Sequence, residues 1–258
     1  MAEALVRGLL AAGRHAPRAL CVAEPLAERR RALDRRFGIS TSDSNTTVAS
    51  SAAVVILAVK PQIMDAVLAE IRPVVKTRTL FVSIAAGVPL QRLQRGLGST
   101  ARIVRVMPNT PALLGRGISV LVGSRRTSAR DVERVRRIFA AVGEAIAVRK
   151  EALLDPVTGL SGSGPAFVYA FAEALIDGGA AAGLPRDLAV RLALGTVAGA
   201  AAMMLETGKS PAELRAMVTS PRGTTLAGLE YLRAHHFGRT VAGSVRAATA
   251  RARALARG

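Results

Sequence analysis

The stretch MAEALVRGLLAAGRHAPRALCVAEP, residues 1–25, decides the fold. Leu5, Leu9 and Leu10 recur at helical spacing, and Gly13 is placed to end that helix. RALCVAE, residues 18–24, then reads as a short buried strand with an acidic residue, Glu24, at its end. A helix feeding such a strand is the second half of a βαβ unit, and the first strand of that unit is expected to be missing.

Working outward, short β-rich runs alternate with helical stretches up to about residue 150. They are ALCVA (19–23), AVVILAV (53–59), TLFVSIA (79–85), RIVRVM (102–107), ISVLVG (118–123) and AIAVR (145–149). This alternation indicates α/β layering around a largely parallel sheet. The run 53–59 is apolar throughout and is expected as a central strand covered on both faces. After residue 150 the β-branched runs stop, and Ala-, Leu- and Gly-rich helices are expected at 164–182, 185–206, 210–218, 223–234 and 238–257. Two domains result, 1–150 and 151–258. So much small surface in the second either packs tightly within one monomer or faces another subunit, and the sequence leaves both open.

Composition narrows the function classes. The 258 residues are 50% hydrophobic, enough for a sizeable core. Cys21 is the only cysteine, so no internal disulfide forms, which fits a reducing cytoplasm. Glu3 and Arg7 interrupt any N-terminal signal region. The longest apolar run, Leu192 to Leu205, lies between Arg191 and Glu206 and is expected to be too short for a bilayer, so no membrane partner is expected. The net charge of +18 points toward nucleic acid, but the arginines are scattered through helices such as AERRRALDRRFG (27–38). Aromatics are only 3% with no tryptophan, so stacking platforms are lacking; a solvated arginine-rich surface is expected, without a nucleic-acid partner.

Three strand ends carry unusual residues: LAVKPQ (57–62), SIAAGV (83–88) and RVMPNTP (105–111). Ligands of open α/β sheets bind outside the carboxyl ends of the strands, so these turns are expected to share one crevice. Ala85, Ala86 and Gly87 would let a flat ring or a pyrophosphate approach the backbone. The second half holds two Gly-rich stretches, 159–175 and MVTSPRGTTLAGLEYL (217–232), each placing hydroxyls and glycine before a long helix. They serve either as an anion site or as plain caps through Ser163 or Thr224. No metal-ligand cluster is evident, and His15, His235 and His236 lie outside the motifs.

AVKP, SIAAGV, VMPNTP, VTGLSGSGPAF and VTSPRGTTLAGLEYL, in this order over nearly the whole chain, resemble the bacterial pyrroline-5-carboxylate reductase family. The resemblance implies an α/β Rossmann-like N-terminal domain, with its first strand missing, followed by an all-α substrate-binding and dimerisation domain. It implies a cytoplasmic enzyme that reduces a cyclic imine to proline with NADPH or NADH, a homodimer with active sites between subunits, and often a ring of five dimers. Cofactor contacts would fall on Asn45, Ala58, Val59, Lys60, Pro61, Ile84, Ala85, Ala86 and Asn109. The substrate side would use Glu151, Ser220, Gly223, Thr224 and Thr225, with the Thr225 hydroxyl near the imine nitrogen as the catalytic group.

Glu24 is placed to bond the ribose hydroxyls and repel a 2′-phosphate, with Arg29 and Arg30 countering it, which leans toward NADH. The β-hydroxyacid dehydrogenases share the layout but carry a catalytic lysine early in the long helix, where GSGPAFVYAFAEAL has none. Family members usually have paired glycines where this chain has Arg222 and Gly223, so positive φ is expected at Arg222. They also begin with a strand and a Gly-rich turn ahead of the first helix, and both are expected to be missing here. The competing reading is a non-catalytic oligomeric relative that has lost cofactor binding.

Overall fold

The computed structural model describes residues 1–13 and 15–257. The chain divides into two compact units, residues 1–163 together with the end of the last helix from Arg246, and Gly164–Val245. The division does not follow the change in composition at residue 150.

The first unit runs α1 (Ala2–Ala11), β1 (Cys21–Ala23), α2 (Ala27–Phe37), β2 (Ser40–Ser42), α3 (Asn45–Ser51), β3 (Val54–Leu57) and α4 (Met64–Ile71). It continues through β4 (Leu80–Ser83), α5 (Leu90–Leu97), β5 (Arg102–Met107), β6 (Gly117–Gly123), α6 (Ala129–Phe139), β7 (Gly143–Ala147) and α7 (Leu154–Val157). Five strands form one sheet in the order β3-β4-β5-β6-β7, parallel except for the β5–β6 pair, while β1 and β2 form a separate parallel pair.

Strand β3 ends the five-stranded sheet, so residues 53–59 do not form the expected central strand. They supply an edge strand, with Val55 and Leu57 buried and Val54 and Ile56 only half-buried. The covered centre is β4, buried along its whole length. Period-2 alternation sends Phe81 into a core with Leu57, Met64, Leu68 and Ile103, and Leu80 and Val82 into a second with Leu5, Val104 and Phe139. Strand β2 has no counterpart among the expected strands, because Ser-Thr-Ser carries no apolar signal; only its pairing with β1 makes it one.

The second unit is helical: α8 (Gly164–Ala181), α9 (Arg186–Thr207), α10 (Pro211–Met217), α11 (Thr224–Ala234) and the start of α12 (Phe237–Arg257). Few of its side chains are buried within one chain; Ala172, Ala189 and Ala193 are, whereas Tyr169, Leu192, Leu205 and Tyr231 are exposed. The apolar run 192–205 extends into the 22-residue helix α9, which by length and composition is able to cross a membrane. Counting only the residues between two charges had placed it below that length. The end of α12 belongs to the first unit, where Leu255 lies against the turn after β4. At Gly87 φ is +71°, and a Cβ there would come within 2.9 Å of the Leu255 Cβ, so glycine is needed for both conformation and clearance.

Candidate active site

The register of the parallel strands puts Leu57, Ser83 and Arg105 in one row across β3, β4 and β5. The segments leaving these strands therefore emerge at the same carboxyl edge, which brings together Ala58, Val59, Lys60 and Pro61, then Ile84, Ala85 and Ala86, then Asn109. Lys60 is exposed at this edge, and Pro61 opens a short 3₁₀ turn leading to α4. Ala85 and Gly87 are buried in a tight turn. Small residues and an ammonium are groups suited to a dinucleotide at this edge.

Glu24 ends β1 beside the end of β2, its N–H donating to the Ser42 carbonyl at 2.9 Å. Its carboxylate accepts the Leu26 N–H at 3.2 Å and pairs with Arg29 at 3.5 Å. Arg30 folds back onto the same turn, donating to the Glu24 and Pro25 carbonyls at 2.8 Å each. The acid expected to repel a 2′-phosphate thus has two guanidinium groups beside it.

Three residues expected at the ligands have side chains engaged by the protein. Asn45, in the first turn of α3, donates its amide to Glu70 at 2.8 Å. Asn109 accepts the Ile118 N–H at 2.9 Å and donates to the Ser161 carbonyl at 3.2 Å. Glu151 accepts the Leu90 N–H at 2.7 Å and the Arg105 guanidinium at 2.9 Å, both through one oxygen. Sequence reasoning passed over Arg105, although an arginine between the apolar pairs Ile103–Val104 and Val106–Met107 was the available signal.

In the second unit, Ser220, Pro221, Arg222 and Gly223 make a tight turn closed by the Gly223 N–H donating to the Ser220 carbonyl at 3.1 Å. Arg222 has φ +59°, as its position after Pro221 implies. A Cβ on Gly223 would lie 2.4 Å from the Ser220 hydroxyl, so this glycine keeps that hydroxyl in place. Helix α11 starts directly after Gly223, with no side-chain cap, so Thr224 does not cap it. Ser163 does not open a separate helix either, since a π-turn over Thr158–Gly162 runs through it into α8. The hydroxyls of Ser220, Thr224 and Thr225 have no hydrogen-bond partner among the described residues. By contrast, the neighbouring Thr219 donates to the Arg215 carbonyl at 2.7 Å. Three hydroxyls and the first N–H groups of an eleven-residue helix form a donor set suited to a carboxylate.

Because the donors are hydroxyls and backbone N–H groups, Arg222→Gly is expected to keep activity. It is also expected to gain about 1 kcal/mol of stability by relieving the left-handed conformation, read as an upward shift of the thermal midpoint. A tenfold or larger rise in substrate KM would show instead that the guanidinium grips the carboxylate.

Residues 151–255 match the family model described as pyrroline-5-carboxylate reductase dimerisation, and residues 1–87 match NADP oxidoreductase coenzyme F420-dependent. The chain is 43% identical to pyrroline-5-carboxylate reductase of Synechocystis over 99% of its own length and 94% of the relative's. It is 42% identical to that of Arabidopsis thaliana over 99% and 92%. Among solved structures it is similar to a pyrroline-5-carboxylate reductase from Coxiella burnetii, with TM-score 0.93, 34% identity and coverage of 98% and 94% of the two chains. It is also similar to pyrroline carboxylate reductase of Plasmodium falciparum with NADP bound, with TM-score 0.88, 32% identity and coverage of 98% and 94%. A Rossmann-like domain followed by a helical dimerisation domain, with these similarities along almost its full length, makes this chain a member of the pyrroline-5-carboxylate reductase family.

Proposed function

We propose that this chain reduces 1-pyrroline-5-carboxylate to L-proline with NAD(P)H, the last step of proline biosynthesis. The observation that carries the reading, beyond family membership, is the unpartnered donor set at the start of α11. A non-catalytic oligomeric relative has no need of three free hydroxyls beside uncapped helix N–H groups.

When bound, the reduced nicotinamide supplies the hydride that the imine carbon accepts. On this reading Ser220, Thr224 and the first N–H groups of α11 hold the substrate carboxylate, and the Thr225 hydroxyl holds a proton at the imine nitrogen. A protonated imine is already a strong hydride acceptor, so the protein's contribution is alignment and needs no strong acid or base. Ala58, Val59, Lys60 and Pro61, Ile84, Ala85 and Ala86, and the backbone around Asn109 hold the dinucleotide along the carboxyl edge.

The exposed apolar helices of the second unit support a homodimer as the working form, and the match to a dimerisation family agrees. A partner subunit is then what covers α9, in place of lipid. A pentamer of dimers, a cytoplasmic location and the absence of a nucleic-acid partner follow the family pattern and are part of the proposal.

The test is direct. The full native protein is expected to oxidise NAD(P)H in the presence of pyrroline-5-carboxylate and to leave 3-hydroxyacids with NAD(P)⁺ untouched; activity only with the hydroxyacids would overturn the reading. The cofactor test is separate. Glu24 favours NADH, while Arg29 and Arg30 offset its charge, so kcat/KM for NADH is expected within about tenfold of that for NADPH. A larger NADPH preference would show the arginines in command.

A further inference from the structure

Arg105 is only 4% exposed, in the middle of β5 and flanked by the buried Val104 and Val106. A buried guanidinium is costly, and an apolar side chain of similar volume there would often be no less stable, so bulk stability gives no reason for it. What it does locally is specific. Arg105 Nη1 donates to Glu151 Oε1 at 2.9 Å, and the same oxygen accepts the Leu90 N–H at 2.7 Å. Leu90 is the first residue of α5, and the positive end of that helix adds to the attraction. One carboxylate oxygen thus joins β5, the start of α5 and the segment that opens at Glu151.

The piece of chain held at one end by this contact is Ile84–Pro89, the turn that leaves β4 for α5. Its other end is also fixed. Ser83 is fully buried, lies opposite Arg105 in the register, and accepts the Ala85 N–H at 3.4 Å. Fifty-two residues apart in sequence, Asn109 and Ser161 tie the end of the same Glu151 segment to the same sheet edge. The turn is therefore clamped between Ser83 and Leu90 at the place where a flat ring would meet the backbone.

We propose that Arg105 and Glu151 are positioning residues that hold the Ile84–Pro89 turn in the conformation the nicotinamide end of the cofactor requires. Glu151 then acts on the cofactor through the turn with its Oε1. The proposal rests on the reading of the carboxyl edge as the NAD(P)H site, and its test separates the two.

Two variants are compared with the native protein: Glu151→Gln, which keeps an acceptor for the Leu90 N–H and removes the charge, and the double variant Arg105→Met/Glu151→Ala, which leaves no buried charge unpaired. In the protein without cofactor, amide exchange followed by mass spectrometry is expected to speed up about tenfold across residues 84–90 in the double variant, with Val82 and Val104 unchanged. NADPH binding, followed by nicotinamide fluorescence, is expected to weaken about tenfold, a larger change than any in substrate KM. Glu151→Gln is expected to show a smaller effect of the same pattern. Unchanged exchange at 84–90, or a rise in substrate KM with NADPH binding intact, would overturn the proposal. Loss of protection throughout β4 and β5 in the double variant would overturn it too, by giving the pair a purely structural role. If the native protein turns over no pyrroline-5-carboxylate, the reductase reading falls, while exchange and NADPH binding still decide the brace.

Discussion

Thr225→Ala is expected to lower kcat about a hundredfold while leaving NAD(P)H binding within about twofold of the native value, the size of effect usual for a group that manages one proton. Thr225 is half-buried at the second position of α11, and its hydroxyl has no partner among the described residues, whereas Thr219, ahead of the 220–223 turn, donates to the Arg215 carbonyl of α10. Removing the hydroxyl leaves the carboxylate donors of Ser220 and Thr224 in place, so substrate KM should move less than kcat. Steady-state kinetics with pyrroline-5-carboxylate as the varied substrate reads both. A kcat unchanged in this variant would remove Thr225 from the chemistry and leave alignment to the loop alone. Thr225→Ser, which restores the hydroxyl, is expected to recover most of the rate.

The second large effect concerns the scaffold. Phe81 is fully buried at the centre of β4, packed among Leu57, Met64, Leu68 and Ile103. Phe81→Ala deletes a ring that the surrounding strands and helices cannot close over, at a cost of about 3 to 5 kcal/mol. Against a total stability of about 5 to 15 kcal/mol, that loss is a large fraction of what holds the first unit folded. The thermal midpoint of this unit is expected to fall by about 10 °C. NAD(P)H binding should be lost before pyrroline-5-carboxylate recognition, since the strand ends proposed to hold the cofactor belong to this core. A midpoint shift below about 2 °C in differential scanning calorimetry would show that Phe81 is not the keystone of this layer.

How much of this was legible in the sequence depends on the range of the interactions involved. The helices of the second half were readable almost to their ends, because Ala- and Leu-rich stretches punctuated by Gly183, Gly208 and Pro211 announce both the element and its limits. The positive φ at Arg222 was readable as well, from the paired glycines that the resembled family has at this position. Partnership was not readable. Glu151 and Asn109 stand in motifs that point to ligands, yet their polar atoms meet Arg105, Leu90, Ile118 and Ser161, and three of these four lie more than 45 residues away in sequence. A carboxylate at a sheet edge can hold a loop through one oxygen and keep the other for a ligand, and the loop contact was not legible in the sequence. The same long-range ties place residues 151–163 in the first compact unit, while the dimerisation family model begins at residue 151. The placement of β3 failed for a related reason. Apolar character says that a strand is covered, and the side on which it has neighbours is a matter of pairing.

The sheet edges at β1 and β3 have a consequence for the behaviour of the protein in concentrated solution. Among the described residues β1 pairs only with β2 and β3 only with β4, and such an open row of backbone groups is a template on which another chain can add. The strands are short, three and four residues, which limits the strength of any such addition. The chain's net charge of +18 acts as the guard, keeping copies apart through long-range repulsion. Salt removes that guard, because the screening length falls from about 30 Å at 0.01 M to about 3 Å at 1 M. Solubility of this chain should therefore be a colloidal balance between unsealed strands and surface charge. It is best kept at low ionic strength, and precipitation by neutral salt should deplete it earlier than a protein whose sheet is closed.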